Sequence, residues 1–321
     1  MQTVLVAGGA GFIGSHLCKK LLDDNYKVIC VDNFLTGDKD NVQSFLKNPN
    51  FTLIEHDIIK PIPAIQENLG QKLDYVFHLA SPASPNSKSP KSYMNFPIET
   101  LLVNSIGTYN LLEQARQFNA KFLYTSSSEI YGDPAISPQK EDYFGNVNPN
   151  GIRSVYDEGK RFGEAMTLAF IRKYNMDARV IRIFNTYGPI MHPQDGRVVS
   201  NFINQAIKNN PITVYGKGSQ TRSFCYVDDM VVGISLAMFA PNTKGKVLNL
   251  GNPDERTVLD IANLIKKLTG SSSEIVFEDL PLDDPKARKP DISKAQKILG
   301  WEPKVATEEG LQKTIDYFKS L

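Results

Sequence analysis

Cysteine is scarce in this sequence: Cys18, Cys30 and Cys225 are the only three among 321 residues. An odd count at wide spacing makes neither a disulfide framework nor a metal-ligand cluster, and reads as core filler in a reducing compartment. Histidine is almost as rare. His16, His56, His78 and His192 are scattered, so no metal site is expected. Neither sign of charge is in excess: 36 Lys+Arg against 35 Asp+Glu leave a net charge of +1. That balance asks for no nucleic-acid and no membrane partner. Any grip on an anion must come from a few well-placed basic residues. There is no apolar run long enough to span a bilayer, and no signal-peptide pattern precedes the first strand. These absences point to a cytoplasmic protein. The length suggests roughly two domains at about 150 residues each.

What is present is an alternation of strands and helices. Thr3 to Ala7 is an apolar, β-branched run, followed by a glycine cluster and an amphipathic stretch from Phe12 to Leu22. Short apolar strands are expected at Val28–Val31, Phe51–Glu55, Tyr75–Leu79, Phe122–Tyr124 and Ala178–Phe184. Helices are expected at Asn104–Phe118 and Val155–Tyr174. This order predicts an α/β fold, a Rossmann-type doubly wound parallel sheet with helices on both faces. After Pro189 the alternation fades, with helices expected at Val198–Lys208 and Val258–Leu268. A smaller C-terminal α/β domain is expected there. The division is drawn as residues 1–189 for the dinucleotide and 190–321 for the substrate, approximately, because the chain is free to cross between lobes.

The glycine cluster has the spacing Gly8-x-x-Gly11-x-x-Gly14, with Phe12 and Ile13 inside it. Glycine permits the tight turn and lets backbone approach a pyrophosphate, which then rests on amides at a helix N-terminus. Alone the triplet is a weak signal. It is stronger here because it follows a strand and opens a helix. The second strand ends at Asp32-Asn33, where a carboxylate accepts the ribose hydroxyls and repels a 2′-phosphate. NAD is therefore expected rather than NADP. Asp57-Ile58, just after the third strand, either border the adenine or are simple loop residues, and both readings stand.

Tyr156 and Lys160 sit one turn apart on one helix face. A tyrosine hydroxyl is a poor base unaided, with a reference pKa of about 10. A nearby ammonium lowers it, which suits Tyr156 to take a proton from a sugar hydroxyl as hydride leaves the same carbon. Lys160 would also hold the nicotinamide ribose. Ser126, Ser127 and Ser128 follow the fifth strand at its C-terminal end, the edge where such sheets bind ligands.

Together these residues resemble the extended short-chain dehydrogenase/reductases that act on nucleotide-sugars. The resemblance covers nearly the whole chain. It rests on the glycine turn, His78-Leu79-Ala80, Ser126-Ser127, and Tyr156 with Lys160. Further matching stretches are His78 to Pro85, Gly145 to Pro149, Tyr156 to Arg161, Asp195 to Phe202, Gln220 to Phe224 and Arg288 to Asp291. The resemblance implies a bound NAD, with Leu79 and Ala80 beside it, and a UDP-sugar partner. It also implies a homodimer through a four-helix face. It places Arg197, Arg222 and Arg288 along the UDP and sugar, Arg288 nearest the pyrophosphate or carboxylate. Asn185 falls at the diphosphate or sugar, and Tyr215 and Gln220 toward the uridine.

Within the family the segment Ser127-Ser128-Glu129 separates the chemistries. A 4,6-dehydratase has Asp at the place of Ser128, and a 4-epimerase usually lacks a carboxylate at the place of Glu129. The pattern here implies decarboxylation of UDP-glucuronate to UDP-xylose, with Glu129 or a water it orients protonating C5. The other readings are a 4,6-dehydratase or 4-epimerase, and, from another class, an NAD-sensing binding protein without turnover. Asn150 stands where the family usually has an aliphatic residue.

Overall fold

The computed structural model describes residues 1–61 and 72–321. The first half of the chain lays down β1 (Thr3–Ala7), α1 (Phe12–Asp23), β2 (Lys27–Asp32), β3 (Phe51–Glu55) and β4 (Tyr75–His78). It continues with α2 (Pro97–Leu102), α3 (Thr108–Gln117), β5 (Lys121–Ser127), α4 (Ser154–Tyr174) and β6 (Ala178–Ile183). The second half adds β7 (Thr186–Tyr187), α5 (Val198–Ile207), β8 (Ile212–Tyr215), β9 (Thr221–Ser223) and β10 (Cys225–Tyr226). After these come α6 (Val227–Phe239), β11 (Val247–Leu250), β12 (Glu255–Thr257), α7 (Val258–Thr269), β13 (Ile275–Glu278) and β14 (Ala287–Arg288). Two helices, α8 (Ser293–Leu299) and α9 (Thr307–Lys319), end the chain.

Seven strands form the central sheet in the order β11-β6-β5-β4-β1-β2-β3. Every neighbouring pair in it is parallel. The order reverses between β1 and β4, which opens a crevice at the carboxyl ends of those strands. Successive side chains of a strand face opposite ways. Val4 and Val6 thus pack with Leu17, Leu21, Met230 and Ile234 on one face. Leu5 and Ala7 pack with Leu111, Leu112 and Phe170 on the other. Both faces are covered, which is why β1 is an unbroken apolar run. Each fully buried valine or leucine there contributes roughly 1.5–3 kcal/mol.

The doubly wound sheet expected from the alternation is therefore present. β11 comes back to pair with β6 after the chain has built β7 to β10. Among the described residues those small strands, with β12, β13 and β14, form three minor sheets beyond the central one, β10-β7, β12-β9-β14 and β13-β8. No helix among the described residues is long and apolar enough to cross a membrane.

Two elements differ most from their expected extents. The helix expected from Asn104 begins at Pro97, a residue suited to a first turn because that turn needs no N–H there. A π-helical turn at Val103–Gly107 then interrupts it. Asn104 sits on this turn, donating to Thr100 O at 2.8 Å and to Ser81 Oγ at 2.9 Å while accepting from the Tyr124 hydroxyl at 3.0 Å. The strand expected to stop at Tyr124 runs on to Ser127. Its polar end hid it from an apolar pattern. Thr125 satisfies its hydroxyl on His78 O at 2.7 Å, and Ser126 and Ser127 pair with Arg182 and Ile183 of β6.

Candidate active site

The crevice opens into a cavity of about 940 Å³. Gly8, Gly11, Phe12, Ile13, Gly14 and Leu79 line it. Ser127, Ser128, Glu129, Tyr156 and Lys160 line it too, as do Asn185, Arg197, Tyr215, Gln220 and Arg222. A smaller recess of about 80 Å³ shares Gly8, Gly11 and Leu79 with the cavity and is lined further by Asp32, Asn33, Asp57, Ile58 and Ala80. Residues spread from position 8 to position 222 thus converge on one connected space.

The glycine turn is shaped for close approach. Gly8 has φ +80°, and a Cβ there would meet Ala80 N at 2.6 Å. A Cβ on Gly14 would collide with the carbonyl of Gly8. The N-terminus of α1 has no side-chain cap and no acidic residue in its first turn. Its leading amides and the positive end of its dipole are therefore open to an anion. Asp32 accepts from Ala10 N and Phe34 N, both at 2.9 Å, so the same carboxylate braces the turn and faces the smaller recess. Burial raises its pKa, and those two amides work against the rise. This combination fits a dinucleotide: a side-chain-free cradle, a helix N-terminus and an acid beyond it. Among the described residues no His/Cys/Asp/Glu group could hold a metal ion.

Tyr156 and Lys160 project from α4 and are both buried. The Lys160 ammonium donates to Thr125 O at 3.0 Å and lies 5.2 Å from the Tyr124 ring centroid and 5.6 Å from that of Tyr156. The expected depression of the phenol by this ammonium is not what the geometry gives. Burial dominates both groups. It pushes Tyr156 up to about 12, with the Ser127 hydroxyl acting the other way. It pulls Lys160 down to about 7, with Glu164 opposing. Burial thus favours the uncharged form of both groups.

Glu129 sits on the 3-10 turn Ser128–Tyr131 that follows β5. Ser127 caps that turn, its Oγ accepting from Glu129 N at 3.2 Å. Arg153 donates to Glu129 Oε2 at 2.5 Å and Arg288 to Oε1 at 3.3 Å. Burial alone would raise this carboxyl, but the charges of Arg288, Arg153 and Arg222 outweigh it and hold it far below the usual carboxylate range. Glu129 is an ion at any physiological pH.

Arg288 departs from its expected place. It lines neither the cavity nor the smaller recess. Parallel pairing of β14 with β9 sets Arg288 beside Arg222 and tucks it behind Glu129, 1% exposed. Its Nε and Nη1 have no partner among the described residues. The other arginines do face the cavity, each on a carboxylate. Arg197 forks onto Asp195 at 2.5 and 2.8 Å, and Arg222 donates to Asp284 at 2.8 Å. Gln220 donates to Tyr215 O at 2.8 Å. Asn150 is exposed on a loop, where its amide caps Asn148 Oδ1 at 3.2 Å.

Three residues were not singled out in the sequence. Arg153 bridges Glu129 and Asp284 from the first turn before α4. Tyr93 stacks on Tyr156 with centroids 5.0 Å apart and planes 7° apart, its buried hydroxyl unpartnered among the described residues. Asp157 is buried beside them; burial first, then Glu129, pushes its carboxyl up to about 8 against Arg153 and Arg288. An acid directly after Tyr156 was the one signal available. Arg153 and Tyr93 lie in irregular segments that no periodicity marks.

Residues 4–251 match the family model described as the NAD dependent epimerase/dehydratase family. UDP-glucuronic acid decarboxylase 1 of Xenopus tropicalis is 51% identical over 318 residues, which is 99% of this chain and 72% of that protein. UDP-glucuronic acid decarboxylase 4 of Arabidopsis thaliana is 48% identical over 98% of this chain and 68% of its own length. Among solved structures, UDP-glucuronic acid 4-epimerase from Bacillus cereus in complex with UDP-glucuronic acid and NAD superposes with a TM-score of 0.87 at 30% identity, covering 99% of both chains. With these likenesses and the geometry above, the chain belongs to the NAD dependent epimerase/dehydratase family.

Proposed function

We propose that this enzyme decarboxylates UDP-glucuronate to UDP-xylose with an NAD that is regenerated in each turnover. The observation that carries the reading is Glu129, fixed as an anion by Arg153 and Arg288 at the cavity wall next to Ser128. The relatives that share about half of its residues are named for that reaction.

The glycine turn (Gly8, Gly11, Phe12, Ile13, Gly14), Asp32, Asn33, Asp57, Ile58, Leu79 and Ala80 would hold the cofactor, with Tyr156 and Lys160 at its reactive end. NAD supplies a hydride acceptor for sugar C4 and later a hydride donor for the same carbon. Tyr156 first passes its own phenol proton to the uncharged Lys160 amine or to a water, and as phenolate it takes the C4 hydroxyl proton as that hydride departs. A phenol pushed up to about 12 is a strong base once ionised, and the ring of Tyr93 behind it fixes its plane. The 4-keto sugar carries its carboxylate β to the ketone, so the electron pair left by carbon dioxide delocalises onto the C4 oxygen. Protonated Tyr156 and Ser127 stabilise that oxygen. Because Glu129 is an anion, it acts at C5 by orienting a water rather than by giving up a proton of its own. Asn185, Arg197, Tyr215, Gln220 and Arg222 serve the UDP end, while Arg288 serves by positioning Glu129. In this division residues 1–189 carry the cofactor and 190–321 the nucleotide-sugar, with β11 crossing back.

We also read the protein as a cytoplasmic homodimer. Its three cysteines are free and buried, as a reducing compartment permits. Ile98, Ile106, Tyr109, Phe162 and Tyr174 are exposed along α2, α3, the π turn between them and α4, an apolar face suited to a second copy. Incubation with UDP-glucuronate and mass analysis of the product tests the activity. A product lighter by one carbon dioxide supports it. A product of unchanged mass would make the enzyme a 4-epimerase instead.

A further inference from the structure

The loop between β4 and α2 contains an ammonium that the mechanism does not use. Seven cavity-lining residues are basic, and five of them are the three arginines, Lys88 and Lys160. Arg153, Arg197 and Arg222 each already have a carboxylate, and Lys88 has Glu278 at 3.2 Å. Lys160 belongs to the chemical end. His192 is pushed by burial, and by the neighbouring Lys91 charge, toward its neutral form. That leaves Lys91. Among the described residues no carboxylate lies in ion-pair range of it, and its Nζ donates to the neutral carbonyl of Thr36 at 2.9 Å.

The place of that contact decides what Lys91 is for. Thr36 follows β2, beside Gly37, where a Cβ would meet Asp32 Oδ1 at 2.8 Å. Asp38 N and Asn41 Nδ2 both donate to Ala10 O, at 3.0 and 2.8 Å, which ties this segment to the glycine turn. Lys91 therefore ties its own loop to the segment held on the glycine turn, and it lines the same cavity as Gly8, Gly11 and Gly14. Its charge also opposes the rise in the Asp32 pKa. The loop that carries it is itself pinned. Ser84 Oγ donates to Asp195 O, Ser89 Oγ to Gln194 O at 2.5 Å, and Asn86 Nδ2 to Gly196 O at 3.1 Å. A cation so held, with no acid of its own, is poised for an anion brought by a ligand.

Resting on the reading that the turn takes NAD, we propose that Lys91 is a clamp for the dinucleotide's diphosphate, closing over it from the side opposite the α1 amides. It holds the cofactor through a cycle in which NAD is regenerated without leaving.

The test is NADH binding by fluorescence titration on the intact protein, wild type against Lys91→Met, Lys91→Glu and Lys91→Arg, at two salt concentrations. A charge-assisted contact of this kind makes Lys91→Met bind about tenfold more weakly. Lys91→Glu falls further, Lys91→Arg recovers most of the loss, and only the wild type and Lys91→Arg keep the full salt dependence. Equal binding by wild type and Lys91→Met would overturn the clamp. So would equal losses in Lys91→Met, Lys91→Glu and Lys91→Arg, which would mark a purely structural tie to Thr36. A wild type that binds no NADH would instead overturn the cofactor reading itself.

Discussion

Replacing Lys160 by methionine should make the protein more stable. Lys160 is 3% exposed, and its only hydrogen bond among the described residues is to the carbonyl of Thr125. The unfolded chain holds its proton up to pH 10.5, the folded chain only to about 7. Between those values the unfolded state binds more protons, so the stability of the native protein rises with pH. At roughly 1.4 kcal/mol for each pH unit, burying this lysine costs on the order of 5 kcal/mol at or below pH 7. Methionine keeps most of the apolar stem and removes the charge. It also forfeits the bond to Thr125, worth about 1 kcal/mol. The expected net gain is about 3–4 kcal/mol at pH 7, falling away as the pH approaches 10.5. Urea unfolding of cofactor-stripped protein at pH 7, 8.5 and 10 measures it. A variant no more stable than wild type at pH 7, or a gain that does not shrink with pH, would refute the argument. The predicted gain would mean that the wild type retains a group that destabilises it, because the site needs an ammonium once its ligands are in place.

Tyr156→Phe should lower turnover by about 100- to 10,000-fold while NADH titration shows binding nearly unchanged. Glu129→Gln should lose turnover by about 100-fold or more and slow deuterium uptake at C5 from heavy water, since an amide orients water poorly and no longer neutralises Arg153 and Arg288. Arg182→Met leaves Glu164 buried without the two-pronged partner it has at 2.9 and 2.8 Å. It should cost about 3–5 kcal/mol in urea unfolding, whereas Arg182→Met combined with Glu164→Leu should recover much of that.

Local chemistry made much of this protein readable. β1, the glycine turn and α1 are adjacent in sequence, and each agrees with the next, so strand, turn and helix were visible within the first 23 residues. Tyr156 and Lys160 were legible for the same reason, being one turn apart. The charge state of the pair was not, because it depends on burial by elements far away in the chain. Ser126 and Ser127 read as following the strand rather than belonging to it, since their place in β5 depends on hydrogen-bond partners in β6. The family resemblance brought Arg288 to the site but not to its position. Only the pairing of β14 with β9 sets it behind Glu129 rather than in the cavity. Arg153 and Tyr93 reach the site from irregular segments, and Lys91 does so from a loop whose shape is set by contacts with residues 194 to 196.

The central claim is that one sugar carbon is oxidised and then reduced again by the same hydride. UDP-glucuronate deuterated at C4, converted with substoichiometric NAD, tests it directly. The account predicts UDP-xylose that keeps its deuterium at C4, with no NADH accumulating. A pentose product that has lost the label, or a 4-keto sugar that builds up as NAD is consumed, would contradict it.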